Sequence, residues 1–117
     1  MTTPNIINAN TINGLTQVAV LTTTLTSIVT NATSSGKAQR INAIYVSNVS
    51  GSVSATVTIA ILRSAVTYRL AYQMSVPAGS SLDLISKTIY LNEGDALQIS
   101  ASTNSYLEAV VSYEEIS

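Results

Sequence analysis

The stretch VSATVTIAILRSAVTYRLAYQMSV, residues 53–76, decides the fold. Apolar side chains occupy its odd positions from residue 53 to residue 61 and its even positions from residue 66 onward. A period of two is typical of β-strands that turn one face toward a core. We therefore predict a hairpin of two strands, with Ile59 and Leu70 both pointing into the core. A loop of two or four residues would keep both apolar sets on one face, and the absence of Gly or Asn at Ser64-Ala65 disfavours the two-residue turn.

Turn residues interrupt a similar alternation in the rest of the chain. VPAGSSLDL, residues 76–84, is a corner between strands, because Pro77 removes a backbone donor and Gly79 permits turn dihedrals. NEGD, residues 92–95, is a tight turn, and residues 97–101 and 107–113 are predicted to pair as a hairpin across Thr103-Asn104-Ser105. About eight strands at this spacing, with no sustained helical period, predict an all-β, antiparallel β-sandwich that is jelly-roll-like. The pattern leaves the strand order open.

The first 14 residues differ from the rest of the chain. Four asparagines punctuate the isoleucines of this segment, which has no clean period and is too short to form its own core. A disordered tail is one interpretation, but such tails are usually poor in isoleucine and rich in charge. We expect instead an N-terminal arm, residues 1–14, that orders on a neighbouring subunit, followed by a single β-sandwich domain, residues 15–117.

Composition argues against several classes of function. The chain has 5 basic and 6 acidic side chains, no histidine and no cysteine, and 32 of its 117 residues are Ser or Thr. Scattered basic residues argue against nucleic-acid binding. The missing histidine and cysteine remove the commonest catalytic bases, nucleophiles and metal ligands. Glu93 and Asp95 are expected to cap their own turn rather than to bind Ca²⁺. We predict no enzymatic activity, no cofactor and no metal.

Targeting and modification patterns give little. No basic region leads into an apolar one, and no apolar run reaches 18 residues, so we expect neither export nor membrane insertion. Asn31-Ala32-Thr33 and Asn48-Val49-Ser50 match the glycosylation sequon, and we interpret both as chance matches.

All six aromatic residues are tyrosines, and their positions divide them into two groups. Tyr45, Tyr68, Tyr72 and Tyr113 fall on apolar strand positions and are predicted to pack in or around the core. Tyr90 and Tyr106 lie off those positions and are candidates for a surface role. Together with the apolar residues near the N-terminus they form the predicted interface set: Ile6, Ile7, Ile12, Leu15, Tyr90 and Tyr106.

Four segments carry a resemblance to a known family. They are INAIYVSNVSG (residues 41–51), VPAGSSLDL (76–84), IYLNEGDALQISAS (89–102) and VVSYEEIS (110–117). In this order and spacing they resemble a family of small virion proteins of tailed bacteriophages, notably those that infect cyanobacteria. The resemblance covers residues 41–117 and implies a non-enzymatic β-sandwich of the phage particle.

The resemblance implies a capsid decoration or cement protein, made in the host cytoplasm and incorporated into the virion. Its partners would be the major capsid protein or other virion proteins and its own copies, with a trimer expected and a dimer as the alternative. A neck or tail component of the same particle is the second hypothesis. A carbohydrate-binding module is the third, since jelly-roll sandwiches often bind sugars, but fold alone does not establish function.

Overall fold

The computed structural model describes residues 11–117, which form nine β-strands and no helix. This range therefore contains no helix able to cross a membrane. The prediction of an all-β antiparallel sandwich is confirmed. The strands are β1 (Ile12–Val20), β2 (Thr26–Thr30), β3 (Ala38–Asn48), β4 (Ala55–Arg63), β5 (Val66–Val76), β6 (Ser81–Asp83), β7 (Ile89–Leu91), β8 (Ala96–Ala101) and β9 (Leu107–Ile116).

Two sheets face each other in jelly-roll order. One sheet runs β1-β9-β3-β6, with β7 also pairing with β3, and the other runs β2-β8-β4-β5. All pairs are antiparallel, and most connections cross from one sheet to the other. With the short strand β7 set aside, this order of four strands in each sheet is that of a jelly roll. It resolves the strand order that the sequence pattern left open.

The core lies between the two sheets and is built from aliphatic side chains of their central strands. β3 and β9 contribute from one sheet, and β4 and β8 contribute from the other. The largest fully buried apolar side chains are Ile41, Ile44, Ile59, Leu91, Leu97 and Leu107. At about 25 cal/mol for each Å² of apolar surface removed from water, this burial is the main favourable contribution to folding.

The β4–β5 hairpin exists as predicted, but the predicted direction of Leu70 is wrong. Arg63 pairs with Val66, so the loop is the two-residue turn Ser64-Ala65, and both residues have positive φ angles of 53° and 63°. Positive φ angles at both central residues are typical of a type I′ turn. From the sequence this two-residue turn was disfavoured, because Ser64-Ala65 contains neither Gly nor Asn.

Two register shifts then place Ala71, not Leu70, opposite Ile59. Cross-strand partners share a face of the sheet, so Ile59 and Ala71 are buried while Leu70 is 41% exposed.

The predicted hairpin between β8 and β9 is also wrong. β8 pairs with β2 and β4, whereas β9 pairs with β1 and β3 in the opposite sheet. The intervening loop crosses between the sheets, with Ser105 rather than Asn104 at positive φ. The Asn104 side-chain oxygen accepts a hydrogen bond from the Thr23 backbone N–H at 2.8 Å and so ties two crossing loops together.

The first strand begins before the predicted domain boundary. Residues 12–14 pair with Glu114, Glu115 and Ile116 of β9, and so they belong to the sheet and not to an arm. The other residues of the predicted arm, 1–10, lie outside the described part of the chain, so its ordering on a neighbouring subunit stays a prediction.

Two buried asparagines fix the loops at the ends of strands. The Asn31 amide donates to the carbonyls of Lys37 and Leu91, and the Asn48 amide donates to those of Val53 and Val76. Both side chains are almost completely buried. Neither can carry a glycan in the folded protein, which agrees with the interpretation of the two sequons as chance matches.

Candidate assembly surface

Strand β1 forms an open edge of its sheet. It pairs with β9 on one side, and no strand within residues 11–117 pairs with its other side. Thr11 and Ser117 exchange two backbone hydrogen bonds, and the Leu21 N–H donates to Leu107, so residues bonded to β9 are odd-numbered. In an antiparallel pair the bonded and non-bonded residues alternate. The even-numbered residues of β1 therefore direct their N–H and C=O groups outward: Ile12, Gly14, Thr16, Val18 and Val20.

Within residues 11–117 the sequence of this edge carries none of the usual protection against pairing with another chain. Natural edge strands are commonly short, bulged, or furnished with charged residues or proline. β1 is nine residues long, has a continuous register, and contains neither a charge nor a proline. The first charged side chain of the whole sequence is Lys37. The β5 edge of the other sheet differs, since it carries Arg69 and two register shifts.

The outer face of the same sheet is apolar beside this edge. Val18 on β1 pairs with Val110 on β9, and Val110 pairs with Tyr45 on β3. All three side chains are exposed, Val18 to 67%. They form one row across three strands, which we call the outer apolar row. An exposed apolar group of this kind, beside an open edge, is typical of a protein interaction site.

A cleft opens next to the edge, between the two sheets. It has a volume of about 160 Å³ and is lined by residues 17–22 of the β1 end, residues 26–28 of β2, and Ile99. Its lining combines apolar side chains, such as Val20 and Ile28, with polar ones, such as Gln17 and Thr26. The cleft adds to the surface that a partner at this edge would contact.

Acidic side chains hold loops and strand ends together, and two of them, Glu93 and Asp95, line a shallow pocket beside Arg63. The Arg63 Nε donates to Asp95 Oδ1 at 2.9 Å, and the Asn92 backbone N–H donates to Asp95 Oδ2 at 2.9 Å. Glu93 accepts from the Gly36 N–H at 2.8 Å. Among residues 11–117 no three His, Cys, Asp or Glu side chains come together in a way that could hold a metal ion.

Two of these environments shift ionisation. Burial alone would raise the pKa of the Asp95 carboxyl, but the hydrogen bonds from Arg63 and Asn92 and the charge of Arg63 hold that pKa below its usual value. The same hydrogen bond, with the charge of Asp95, raises the pKa of Arg63. Burial, followed by the nearby Glu115 carboxylate, raises the pKa of the Tyr113 hydroxyl.

We expect Arg63→Ala to destabilise the protein by about 1 to 3 kcal/mol at pH 7, since it leaves the buried Asp95 carboxylate without its charged donor. The half-exposed guanidinium limits the effect through solvent screening. In the parent protein a depressed Asp95 pKa adds stability above about pH 4, the unfolded value, and this stability is lost as the pH falls through the folded pKa. The loss in the variant should therefore shrink toward pH 3.5.

Urea unfolding at pH 7 and pH 3.5 measures this difference. The matched control is Arg69→Ala, because Arg69 lies 5.0 Å above the Tyr72 ring and its side chain has no carboxylate partner among the described residues. It should cost under about 1 kcal/mol at both pH values. An equal loss for Arg63→Ala at both pH values would contradict the role given to the ion pair.

The predicted interface residues fall in different places. Ile12 and Leu15 lie on β1, with Ile12 57% exposed, whereas Ile6 and Ile7 lie outside the described residues. Tyr90 is exposed on β7, which pairs with β3 on the side away from β9 and β1. Tyr106 is half-buried and packs against the core. The structure therefore brings Ile12 and Leu15 together at one edge and separates them from both tyrosines.

The predicted packing of the other tyrosines is only partly right. Tyr113 packs against the core, but Tyr45, Tyr68 and Tyr72 are exposed. Tyr45 lies on the outer face of a central strand, while the other two lie on the β5 edge strand. Alternation shows which side of a strand a residue takes, but not whether another layer covers that side.

Four exposed residues at the β1 edge and in the outer apolar row were not predicted from the sequence: Val18, Val20, Val110 and Tyr45. The first 36 residues carry no charged side chain, and this run could have indicated an edge strand that a partner covers, since an edge strand in water normally carries charge. Finding Val110 and Tyr45 also required knowing that β9 and β3 lie next to β1.

Comparison with known proteins shows the fold. No protein-family model matches the chain, and no curated protein matches it. A similar solved structure comes from work on Bacillus endospore appendages, which are described as a novel family of disulfide-linked pili. The two chains align with a TM-score of 0.55 and 15% identity over 92% of this chain and 87% of the other. At this identity the likeness concerns the sandwich architecture alone.

Proposed function

We propose that this chain is a non-enzymatic structural subunit that is built into a protein assembly through β1 and the outer apolar row. The observation that carries the proposal is the unprotected nine-residue edge of β1. An uncharged open edge invites pairing with other chains, and a protein that must remain a free monomer is expected to block it. In an assembly a partner would cover this edge, so the edge would need no charge, proline or bulge to block unwanted pairing.

The finer proposal is a capsid decoration or cement protein of a tailed-phage head, with a neck or tail component as the alternative. Its support is the resemblance of the four segments between residues 41 and 117. These segments contain β6, β7 and β8 and most of β3 and β9, and β9 is the strand with which β1 pairs. A role in an assembly is also compatible with a similar solved structure that belongs to a pilus. This chain contains no cysteine, so it could not itself form disulfide links.

Carbohydrate binding has one observation in its favour. A groove of about 290 Å³ on the other sheet is lined by hydroxyl side chains together with Arg69 and Tyr72. The Arg69 guanidinium lies 5.0 Å above the Tyr72 ring, so one face of the ring is already occupied and is not open to stack on a sugar. The structural role is therefore preferred.

The test of the proposed function is binding to phage heads. We expect the purified chain to co-sediment with isolated heads, and we expect Val110→Lys to weaken that binding at least tenfold, which corresponds to about 1.4 kcal/mol. Lysine would place a charge in the middle of the outer apolar row, while the fold should tolerate it because Val110 faces solvent.

Ser100→Lys is the matched control, since it places the same charge on the outer face of the opposite sheet. It should bind heads as the parent does. A parent chain that binds no heads and stays monomeric at every concentration tested would contradict the assembly role. Density for the chain in an image reconstruction of intact particles would distinguish head from neck or tail.

A further inference from the structure

We propose that β1 pairs with β1 of a second copy, antiparallel and in a register centred on Thr16. The two β1-β9-β3 sheets then form one continuous sheet across a two-fold axis. This inference rests on the proposed function, because it names the partner at the open edge. Such an isologous contact closes as a dimer, which is the alternative to the trimer expected from sequence.

The backbone groups determine the register. The outward-facing residues are Ile12, Gly14, Thr16, Val18 and Val20. With Thr16 opposite Thr16 of the second copy, Gly14 faces Val18 and Ile12 faces Val20. The two-fold axis repeats the last two pairs, and the Thr16 pair lies on the axis and occurs once. Two outward-directed residues that lie opposite each other form a hydrogen-bonded pair, which exchanges two hydrogen bonds. Every outward N–H and C=O of β1 is then paired, whereas a shift by two residues in either direction leaves groups at the strand ends unpaired.

The side chains fit the same register. Ile12 and Val20 are exposed to nearly the same extent, 57% and 56%, and the register places them opposite each other. Val18, exposed to 67%, comes to lie across from Gly14, where a Cβ atom would meet nothing within 4 Å. The glycine therefore leaves room beside the valine of the second copy. Because β1 has no charged residue, self-pairing brings no like charges together.

The second long edge of the sandwich is a poorer partner for β1. β5 carries Arg69 and two register shifts, and Gln73 has a positive φ of 51°. A bulged strand cannot offer an unbroken row of backbone groups to a straight nine-residue strand. A head-to-tail contact of β1 with β5 would therefore leave more groups unpaired than the contact of β1 with itself.

Cysteine cross-linking tests the register directly, since the chain has no cysteine of its own. Hydrogen-bonded antiparallel partners have Cα atoms about 5.5 Å apart, within the range that a disulfide can bridge. We expect Thr16→Cys to form covalent dimers under mild oxidation, because only this position faces itself. Ile12→Cys alone and Val20→Cys alone should form no covalent dimer under the same mild oxidation, yet a mixture of the two variants should give a covalent heterodimer.

Ser75→Cys, on the exposed β5 edge, is the matched control and should not cross-link. Efficient dimers from this control, or none from Thr16→Cys, would overturn the proposed pairing. If Thr16→Cys gives no dimer while the parent still self-associates or binds heads, the pairing is wrong and the proposed function stands. If the parent does neither, both are wrong.

Association of the parent without cysteines provides a second measurement. Thr16→Pro should weaken dimerisation at least tenfold in sedimentation experiments, because it removes an outward N–H at the axis while the bonds to β9 stay intact. Should this variant melt well below the parent, Thr16→Lys replaces it and places like charges opposite each other. Undiminished association of a folded Thr16 variant would contradict the proposal.

Deletion of residues 2–10 tests whether the N-terminal segment, rather than a second β1, occupies the open edge. The proposed pairing requires that the shortened chain still forms the Thr16→Cys dimer with undiminished yield. A Thr16→Cys dimer that forms only after the deletion would assign the edge of the full chain to the N-terminal segment and would overturn the pairing of β1 with itself.

Discussion

Replacing Ile59 with alanine is expected to destabilise the fold by about 2 to 5 kcal/mol, the usual range for a large aliphatic side chain removed from a core. Ile59 lies in the middle of β4, between β8 and β5, and is completely buried. The loss combines the transfer energy of the removed methyl and methylene groups with the cavity that remains. Urea unfolding should show a lower midpoint with an unchanged dependence on denaturant.

Leu70→Ala is the matched control, because the sequence pattern gives Leu70 the same inward direction that it gives Ile59. In the structure Leu70 is 41% exposed, so its truncation should cost under about 1 kcal/mol. A Leu70→Ala variant as unstable as Ile59→Ala would mean that the register shifts between β4 and β5 are misplaced.

The contrast between these two residues shows what alternation can and cannot predict. Apolar residues at every second position correctly predicted where β4 and β5 lie. The directions within β5 depended on bulges, however, and nothing in the composition of residues 66–76 marks them. Gln73 takes a positive φ without being Gly, Asn or Asp, so the usual sequence sign of a bulge is missing.

The sequence pattern predicted the pairing of the strands even less well than their directions. The pattern of β8 and β9 showed two short strands with inward faces of the expected parity. A short connection between such strands predicts a hairpin, but a jelly roll uses the same short connection to cross between sheets. Which of the two occurs depends on the partners available to each strand, and those partners, β2 and β4 for β8, are distant in the sequence.

The open edge was partly visible in the sequence. Ile12 and Leu15 were placed among the interface residues, and both lie on β1. The outward-facing backbone groups follow only from the pairing of β1 with β9, because that pairing determines which residues already have their hydrogen bonds. The candidate surface is thus a property of topology more than of any motif.

Polar residues at strand ends were the least predictable feature. Asn48 ends β3 and reads as an ordinary turn residue beside Ser50 and Gly51. In the fold it is almost completely buried, and its amide donates to the carbonyls of Val53 and Val76 at 2.9 Å each. Its side-chain oxygen accepts from the Ser50 N–H at 2.9 Å. The three bonds connect the end of β3 to the start of β4 and the end of β5.

We therefore expect Asn48→Asp to destabilise the protein by about 3 to 5 kcal/mol at pH 7, although it barely changes the side-chain volume. One carboxylate oxygen can still accept from the Ser50 N–H. The other replaces the amide donor, so the carbonyl oxygens of Val53 and Val76 lose their hydrogen bonds and face a negative charge. Burial against these oxygens raises the pKa of the introduced carboxyl in the folded state. The destabilisation should therefore grow as the pH rises above about 4, the value in the unfolded chain.

Asn104→Asp is the matched control for this prediction. Asn104 is exposed, and only its oxygen is used, as the acceptor for the Thr23 N–H. The substitution keeps that acceptor, so the cost should stay within about 0.5 kcal/mol at every pH. Urea unfolding of both variants at pH 4 and pH 7 separates the cases. If Asn48→Asp proved as stable as Asn104→Asp at pH 7, the Asn48 amide would not be an essential donor, and the connection of β3 to β4 and β5 would depend on apolar packing alone.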